Sequence, residues 1–387
     1  MKLSKVNKTL DMNTTLQHRL TQFWQHIQIS LFPLLEEIEL VLTPKLQELV
    51  TALEMMKIER FLNVTRFGAI GRPCKDRTAI ARAFVAKAVL NLPTTEALID
   101  RLKSDINLRR ICGFSSTHAI ADKSRFSRAF AEFAQSRLPE RVHAALIAEH
   151  LGDQIIGHIS HDSTAIMARE RPKYDAATSV TPITTPAPTK KRGRPRKDAP
   201  VVITDKVPTR IERQQTQSLA AMLSDLPHAC DIGTKLDSKG HKTSWQGYKL
   251  HVDTADGDIP VSCILSSASL HDSQVMMPLM TMSSTKLQYL YDLADAAYCS
   301  PLLRAASRHF GHVPLIDHNP RRGEKIEFEP HEAVRYKERS SAERLNAHLK
   351  DHHGGRQVWV RGSKKVMAHL MFGIIVITSE QLLRLLI

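Results

Sequence analysis

The hydrophobic period of this chain changes once, and that change constrains the fold more than any other feature. Up to about residue 150, apolar residues recur every three or four positions, as in LTQFWQHIQISLFPLLEEIELVL, KLQELVTALEMMKIERFL and TAIARAFVAKAVLNL. That is the spacing of helices with a buried face. From residue 154 the pattern alternates, in QIIGHISHDSTAI, WQGYKLHVDT and IPVSCILSSAS, which is the period of half-buried strands. A helical first part and a sheet-bearing second part follow.

The helical part divides in two. Residues 1–64 are punctuated by Pro33 and Pro44 and carry no evident chemistry. Residues 65–150 open at GRPCKDR. Thr94 or Thr95 is placed to cap TEALIDRLKSD, Gly113 breaks RRICGFSS, and a loop holding Asp122 precedes SRFSRAFAEFAQ. Spacing alone admits two readings here: a helical DNA-binding module, or a plain bundle with a solvated basic face.

Residues 151–387 read in order as strand, insertion, strand, strand, helix, strand, helix, strand, helix. The insertion, 170–230, contains TSVTPITTPAPTKKRGRPRKDAP, too rich in Thr, Pro and cations to bury a core, and is read as disordered. A hairpin turns at Asp256-Gly257. LQYLYDLAD is a strand ending at Asp295. HEAVRYKERSSAERLNAHLKDHH is one long helix stopped at Gly354-Gly355, and SKKVMAHLMFGIIVITSEQLLRLLI is an apolar helix that docks. Mixed order of this kind gives a central sheet with helices on its faces. It is the element order of a ribonuclease-H-like α/β catalytic domain, here preceded by an α-helical N-terminal domain.

Composition limits the partners. Fifty-four Lys and Arg against 40 Asp and Glu leave a formal charge of +14, which favours a polyanion, nucleic acid foremost. The longest uninterrupted apolar run, Leu370 to Ile377, is far short of the ~20 residues of a spanning helix, so no membrane partner is expected. MKLSKVNKTLDMNTTLQ lacks the apolar core of a secretory signal. Cys74, Cys112, Cys230, Cys263 and Cys299 form no C-x-x-C pair. Free thiols in a cytoplasmic protein are expected, and a structural zinc site is not, despite the 19 histidines.

Phosphoryl transfer on DNA needs hard divalent metals held by converging carboxylates. Asp162 and Asp295 stand at the ends of two strands, where α/β sheets build sites. Each acid alone is equally readable as a strand or helix cap. The long helix adds a third acid: Tyr336, Arg339, Glu343 and Lys350 are spaced by three, four and seven, which puts them within about 60° of arc. Ala342, Leu345 and Leu349 take the opposite, core-facing side.

The pattern Tyr336-x2-Arg339-x3-Glu343-x6-Lys350 resembles the C-terminal motif of bacterial insertion-sequence transposases of the DDE class. HDSTAI resembles their first-Asp strand. WQGYKLHVDTADGDIPV with ASLHDSQ resembles the following hairpin and helix, and LADAAYCS the second-Asp block, which singles out Asp295 over Asp292. GRP, RLKSDINLRRICGF and SRFSR resemble their helical N-terminal domain. The resemblance runs over roughly residues 65 to 380 and implies an activity. Asp162, Asp295 and Glu343 would bind two Mg2+ or Mn2+ ions. Tyr336, Arg339 and Lys350 would contact double-stranded DNA at the element's ends. Hydrolysis would free a 3′-hydroxyl that then attacks target DNA, within a homodimer joining two ends. Only 47 residues separate Asp295 from Glu343, so the β-rich insertion some members carry there is absent. A transposase-derived DNA-binding protein without catalysis, and a metal nuclease without strand transfer, remain open alternatives.

Other segments bear on DNA. Lys190, Lys191, Arg192, Arg194, Arg196 and Lys197 crowd eight residues, and Arg192-Gly193-Arg194-Pro195 resembles an AT-hook; general phosphate affinity fits it as well. Nine Lys and Arg and three acids lie between Arg335 and Lys365. Trp359 either packs under the last helix or stacks on an unpaired base. His271-Asp272 and His161-Asp162 suggest hydrolytic dyads, but strand neighbours face opposite ways. His352-His353 are read as cations suiting a helix C-terminus.

Overall fold

The computed structural model describes residues 42–62, 76–172, 208–236, 240–320 and 324–386. The expectations for residues 1–41, for GRPC, and for Lys190, Lys191, Arg192 and Arg194 lie outside these residues.

Among the described residues, six α-helices come first. α1 (Pro44–Met56) starts at Pro44, which occupies the first turn behind the Thr43 cap, so this proline begins a helix and does not break one. α2 (Arg77–Val89) is buried on nearly every side, through Ile80, Ala83, Phe84 and Val85 among others, as befits the central helix of a bundle. Thr94 caps α3 (Thr95–Ser104) by accepting from the Ala97 amide. α4 (Ile106–Cys112) stops at Gly113, whose φ of +97° only glycine holds without strain. Asp122 caps α5 (Lys123–Gln135), and α6 (Leu138–Leu151) leads into the sheet.

The strands are β1 (Ile155–Ala168), β2 (Asp231–Leu236), β3 (Lys242–Ala255), β4 (Ile259–Ser267), β5 (Gln288–Ala294), β6 (Val313–Ile316) and β7 (Gln357–Val358). The main path runs β2-β3-β1-β5-β6, with β4 paired to β3 and β7 to β1. β1–β3 and β3–β4 are antiparallel; β1–β5 and β5–β6 are parallel. Between them lie α7 (Arg210–Gln214), α8 (Leu219–Ser224), α9 (Ser273–Ser284), α10 (Pro301–His309), α11 (Pro330–Tyr336) and α12 (Ser340–His352), and α13 (Ser363–Leu386) follows β7.

Side-chain bonds fix which helices cover which face. Ser160 and Asp162 of β1 meet Ser341 and Asn346 of α12. The intervening His161 reaches Asp253 and Asp292, which are bonded by Ser283 of α9 and Ser307 of α10. So α12 lies on one face and α9 and α10 on the other. α13 joins the two halves of the molecule: Phe372 packs on Phe84 and Phe130 of the helical part, ring centroids 5.8 and 6.3 Å away, while Leu370 and Ile374 pack with β3 residues Leu250 and Val252. Residues 363–385 of this helix are long and apolar enough to cross a membrane, but 78% of its most apolar 18 residues are buried inside the protein. It is a core helix.

Four sequence expectations change. Asp162 is not at a strand end; β1 runs on to Ala168, because β3 keeps pairing with it out to Met167 after β5 has ended. The part of 170–230 from residue 208 onward is built, not disordered, since Met222 and Leu226 find apolar partners around α9 and α10. β2 was not foreseen; its DIGTKL is too polar to alternate visibly. The long helix is interrupted by a 3-10 turn at Lys337–Arg339.

Candidate active site

β1 and β5 lie side by side with His161 opposite Ala294. The next residue on each is an aspartate, so Asp162 and Asp295 stand together where the parallel pairing stops. Strand spacing there is about 4.8 Å. Asp295 also caps the 3-10 turn Ala296–Tyr298, accepting from the Ala297 amide at 2.9 Å. Burial raises the pKa of the Asp162 carboxyl, and neighbouring Asp295 adds to the rise; the group is pushed up to about 6. Asp295 is raised too, by burial first and then by Asp272, with Arg339 and the Ala297 amide pulling the other way. Two half-buried carboxyls whose charges are poorly compensated make a site short of positive charge.

α12 supplies the wall facing them. Asn346 Nδ2 donates to Asp162 Oδ2 at 2.8 Å, and Ser341 Oγ lies 3.2 Å from Ser160 Oγ. Glu343 falls between these two anchors in sequence, three residues and about 60° round the helix from Asn346. Its carboxylate remains exposed and paired with Arg339. Among the described residues, the ligand oxygens of Asp162, Asp295 and Glu343 do not all meet within 4.8 Å. Arg339 spans the gap. It bonds Glu343, sits 6.0 Å from the Tyr336 ring and acts electrostatically on both Asp162 and Asp295. Its own burial is outweighed by Tyr336, Glu343 and Asp162, which hold its charge firmly. Burial lowers Lys350, as do Lys235 and Arg356, while Asp162 opposes them. The Tyr336 ring lies tilted against Phe328, centroids 4.7 Å apart, and burial pushes its phenol up to about 12.

Ala342, Leu345 and Leu349 form the core side of α12, as spacing predicts. The 3-10 turn lies between Tyr336 and α12, so the calculated arc holds only for Glu343 and Lys350; Arg339 reaches the site from the turn. Asn346 was missed. Its signal was legible, since it lies three residues after Glu343 and four before Lys350. Asp272, set aside with His271 as a strand neighbour, instead starts α9 and lies close enough to raise Asp295; Lys249 holds it at 2.9 Å. Lys235, which also acts on this site, lies on the unforeseen β2.

The remaining candidates resolve separately. Asp292, rejected in favour of Asp295, is fully buried under the sheet, bonded by His161, Ser307 and His312. His161 lies between Asp292 and Asp253; burial works against its charge, but the two carboxylates outweigh it and hold it at about 10. It faces away from Asp162, as strand alternation requires. His353 is no helix-capping cation: burial and His348 bring it down to about 4. Trp359 is not packed under α13; it is 45% exposed, with the Arg169 guanidinium over its ring at 6.0 Å.

The chain matches two family models. A transposase domain (DUF772) matches residues 40–132, and a transposase DDE domain matches residues 196–378, which include Asp295 and Glu343 but begin after Asp162. No curated protein and no solved structure matches it. With a helical transposase domain followed in order by a DDE domain that contains the second aspartate and the helix of Glu343, the chain belongs to the insertion-sequence transposases of the DDE class.

Proposed function

We propose that this transposase cuts and rejoins double-stranded DNA at the pocket built by Asp162, Asp295 and Glu343, in a ribonuclease-H-like catalytic domain. The strand order β4-β3-β1-β5-β6, antiparallel across the first three and parallel across the last three, supports that fold. The observation that carries the reading is the aspartate pair: two adjacent, half-buried carboxyls with raised pKa values, beside a helix bonded to one of them.

Hard oxygen donors lacking a full counter-charge suit Mg2+ or Mn2+. Asp162 and Asp295 would hold such ions, two being expected, and Glu343 would join them by exchanging its Arg339 partner. Such ions would supply charge neutralisation at the phosphate and activation of the attacking oxygen. The residues around them orient the DNA. Arg339 and Lys350 offer phosphate contacts along one side of the carboxyls, with the Tyr336 phenol next to Arg339. Asn346 fixes Asp162 through its amide. The basic segment holding Lys190, Lys191, Arg192 and Arg194 adds affinity for the DNA backbone. Joining two element ends calls for a homodimer in the DNA complex.

The test uses DNA carrying the sequences that flank the gene, a target duplex and Mg2+. Asp162→Asn, Asp295→Asn and Glu343→Gln should each abolish cleavage and retain DNA binding. Cleavage retained in all three rejects the site. Cleavage without a joined product would make the protein a nuclease, and binding without cleavage in the wild type a DNA-binding relic.

A further inference from the structure

On the side of α12 away from the acids, a second constellation closes. His348 lies about 140° round the helix from Glu343, and His353 follows at the helix end. The Nε2 atoms of the two imidazoles are 3.4 Å apart. Glu380 of α13 completes the group, with Oε2 3.5 Å from His348 Nε2 and Oε1 3.6 Å from His353 Nε2. Ligand atoms bound tetrahedrally at ~2.0–2.1 Å from one metal stand about 3.3–3.4 Å from one another. Among the described residues, this is the trio of His, Cys, Asp or Glu whose ligand atoms all lie within 4.8 Å.

The orientation of the groups points the same way. His353 Nδ1 lies 3.2 Å from the Ala88 carbonyl. Donation there leaves the Nε2 lone pair aimed at His348 and Glu380, which is how a ligating histidine is fixed by its other nitrogen. Glu380 Oε1 is buried without a hydrogen-bond partner, and so is Oε1 of Glu48, whose carboxyl faces Glu380 from α1. Lone pairs and carboxylate oxygens packed together repel one another unless a proton or a cation lies between them; burial and Glu48 raise the Glu380 carboxyl to about 8, so a proton takes that place in the metal-free protein and a metal ion would displace it. Two positive side chains face the group: Lys45, bonded to Glu48 Oε2 at 2.7 Å, and Arg384, 3.4 Å from Gln381 Oε1. His352 borders it, its ring centroid 5.2 Å from that of His348.

We propose that His348, His353 and Glu380 bind one Zn2+ as a structural ion, with Glu48, which lies outside that trio but adjoins Glu380, closing the fourth position on binding. Two imidazoles and carboxylates suit zinc and not Mg2+, which takes oxygen donors. The ion would tie α1 and α13 to α12, the helix that presents Glu343, Asn346 and Lys350 to Asp162. It is separate from the catalytic acids, and its binding does not depend on the chemistry assigned to them.

The experiment uses the full chain, stripped with chelator, then dialysed against Zn2+ in excess Mg2+ so that the carboxylate pocket is not scored. Atomic emission should find one zinc per wild-type chain and one in the Asp162→Asn, Asp295→Asn double variant. His348→Gln and Glu380→Gln should lose it. Substitution with Co2+ should give the intense visible bands of a tetrahedral site in the wild type, read without any variant. Zinc absent from the wild type, zinc unchanged in both ligand variants, zinc lost only with the aspartates, or octahedral cobalt bands would each overturn the proposal.

Discussion

Asp162→Asn should make the metal-free protein more stable, although it removes a residue assigned to catalysis. In the fold, burial and Asp295 push this carboxyl from the ordinary 3.8 to about 6. A folded pKa above the unfolded one means that the native state binds the proton more tightly, so stability falls as pH rises between the two values. The penalty is nearly absent below pH 3.8 and complete above pH 6. A rise of that size is worth on the order of 3 kcal/mol, and at pH 5 about half of it has developed. Asparagine cannot ionise, and its carbonyl can still accept the Asn346 amide at the 2.8 Å contact. Urea unfolding in chelator should therefore show the variant ahead by roughly 3 kcal/mol at pH 7.5 and by about half as much at pH 5. Adding Mg2+ should stabilise the wild type and leave the variant nearly unmoved, closing the difference. A variant no more stable than wild type at pH 7.5, or a gain that ignores pH, would refute the claim that Asp162 is held at the expense of the fold.

Other perturbations probe the frame and the DNA face. His161→Ala should cost about 3–5 kcal/mol, because it strands Asp253 and Asp292 as buried charges; with the folded pKa of about 10 above the ordinary 6.5, the loss is full below pH 6.5 and fades as pH climbs through 10, which urea midpoints across that range will read. Gly247→Ala should cost about 3 kcal/mol, since its Cβ would come 2.0 Å from the Ile166 carbonyl oxygen of β1; a wild-type melting temperature would contradict the close approach of β1 and β3. Arg339→Ala should weaken binding to duplex DNA on all sequences alike and reduce the salt slope of log K by about 1; fluorescence anisotropy at several salt concentrations decides it, and an unchanged slope removes Arg339 from the phosphate path.

How far the sequence could be read depended on how local each determinant is. Thr94, Gly113 and Asp122 act within four residues of themselves, through a capping bond or a positive φ, and their roles are written in the neighbouring letters. The same holds for Ala342, Leu345 and Leu349, whose burial follows from helical period alone. Asp162 shows where that reasoning stops. Its strand looked finished because the alternation blurs after Ile166, yet the ladder continues, and only pairing with β3, some eighty positions on, keeps β1 extended to Ala168. The end of a parallel neighbour, not the end of its own strand, gives Asp162 its place beside Asp295. Glu343 is the converse case. Period placed it on a face with Lys350, but the face is aimed by Ser341 and Asn346 gripping β1, and small polar residues on a helix look like solvent-facing positions until the partner strand is known. His353 was misjudged for the same reason: its charge is set by burial against Ala88 and His348, contributed by another helix and another turn. Local chemistry names the groups, and long-range packing decides which of them are left short of a partner. In this fold that shortage recurs on both sides of α12, at the aspartates and at the histidines, which is why the helix is the element whose position the activity should feel most.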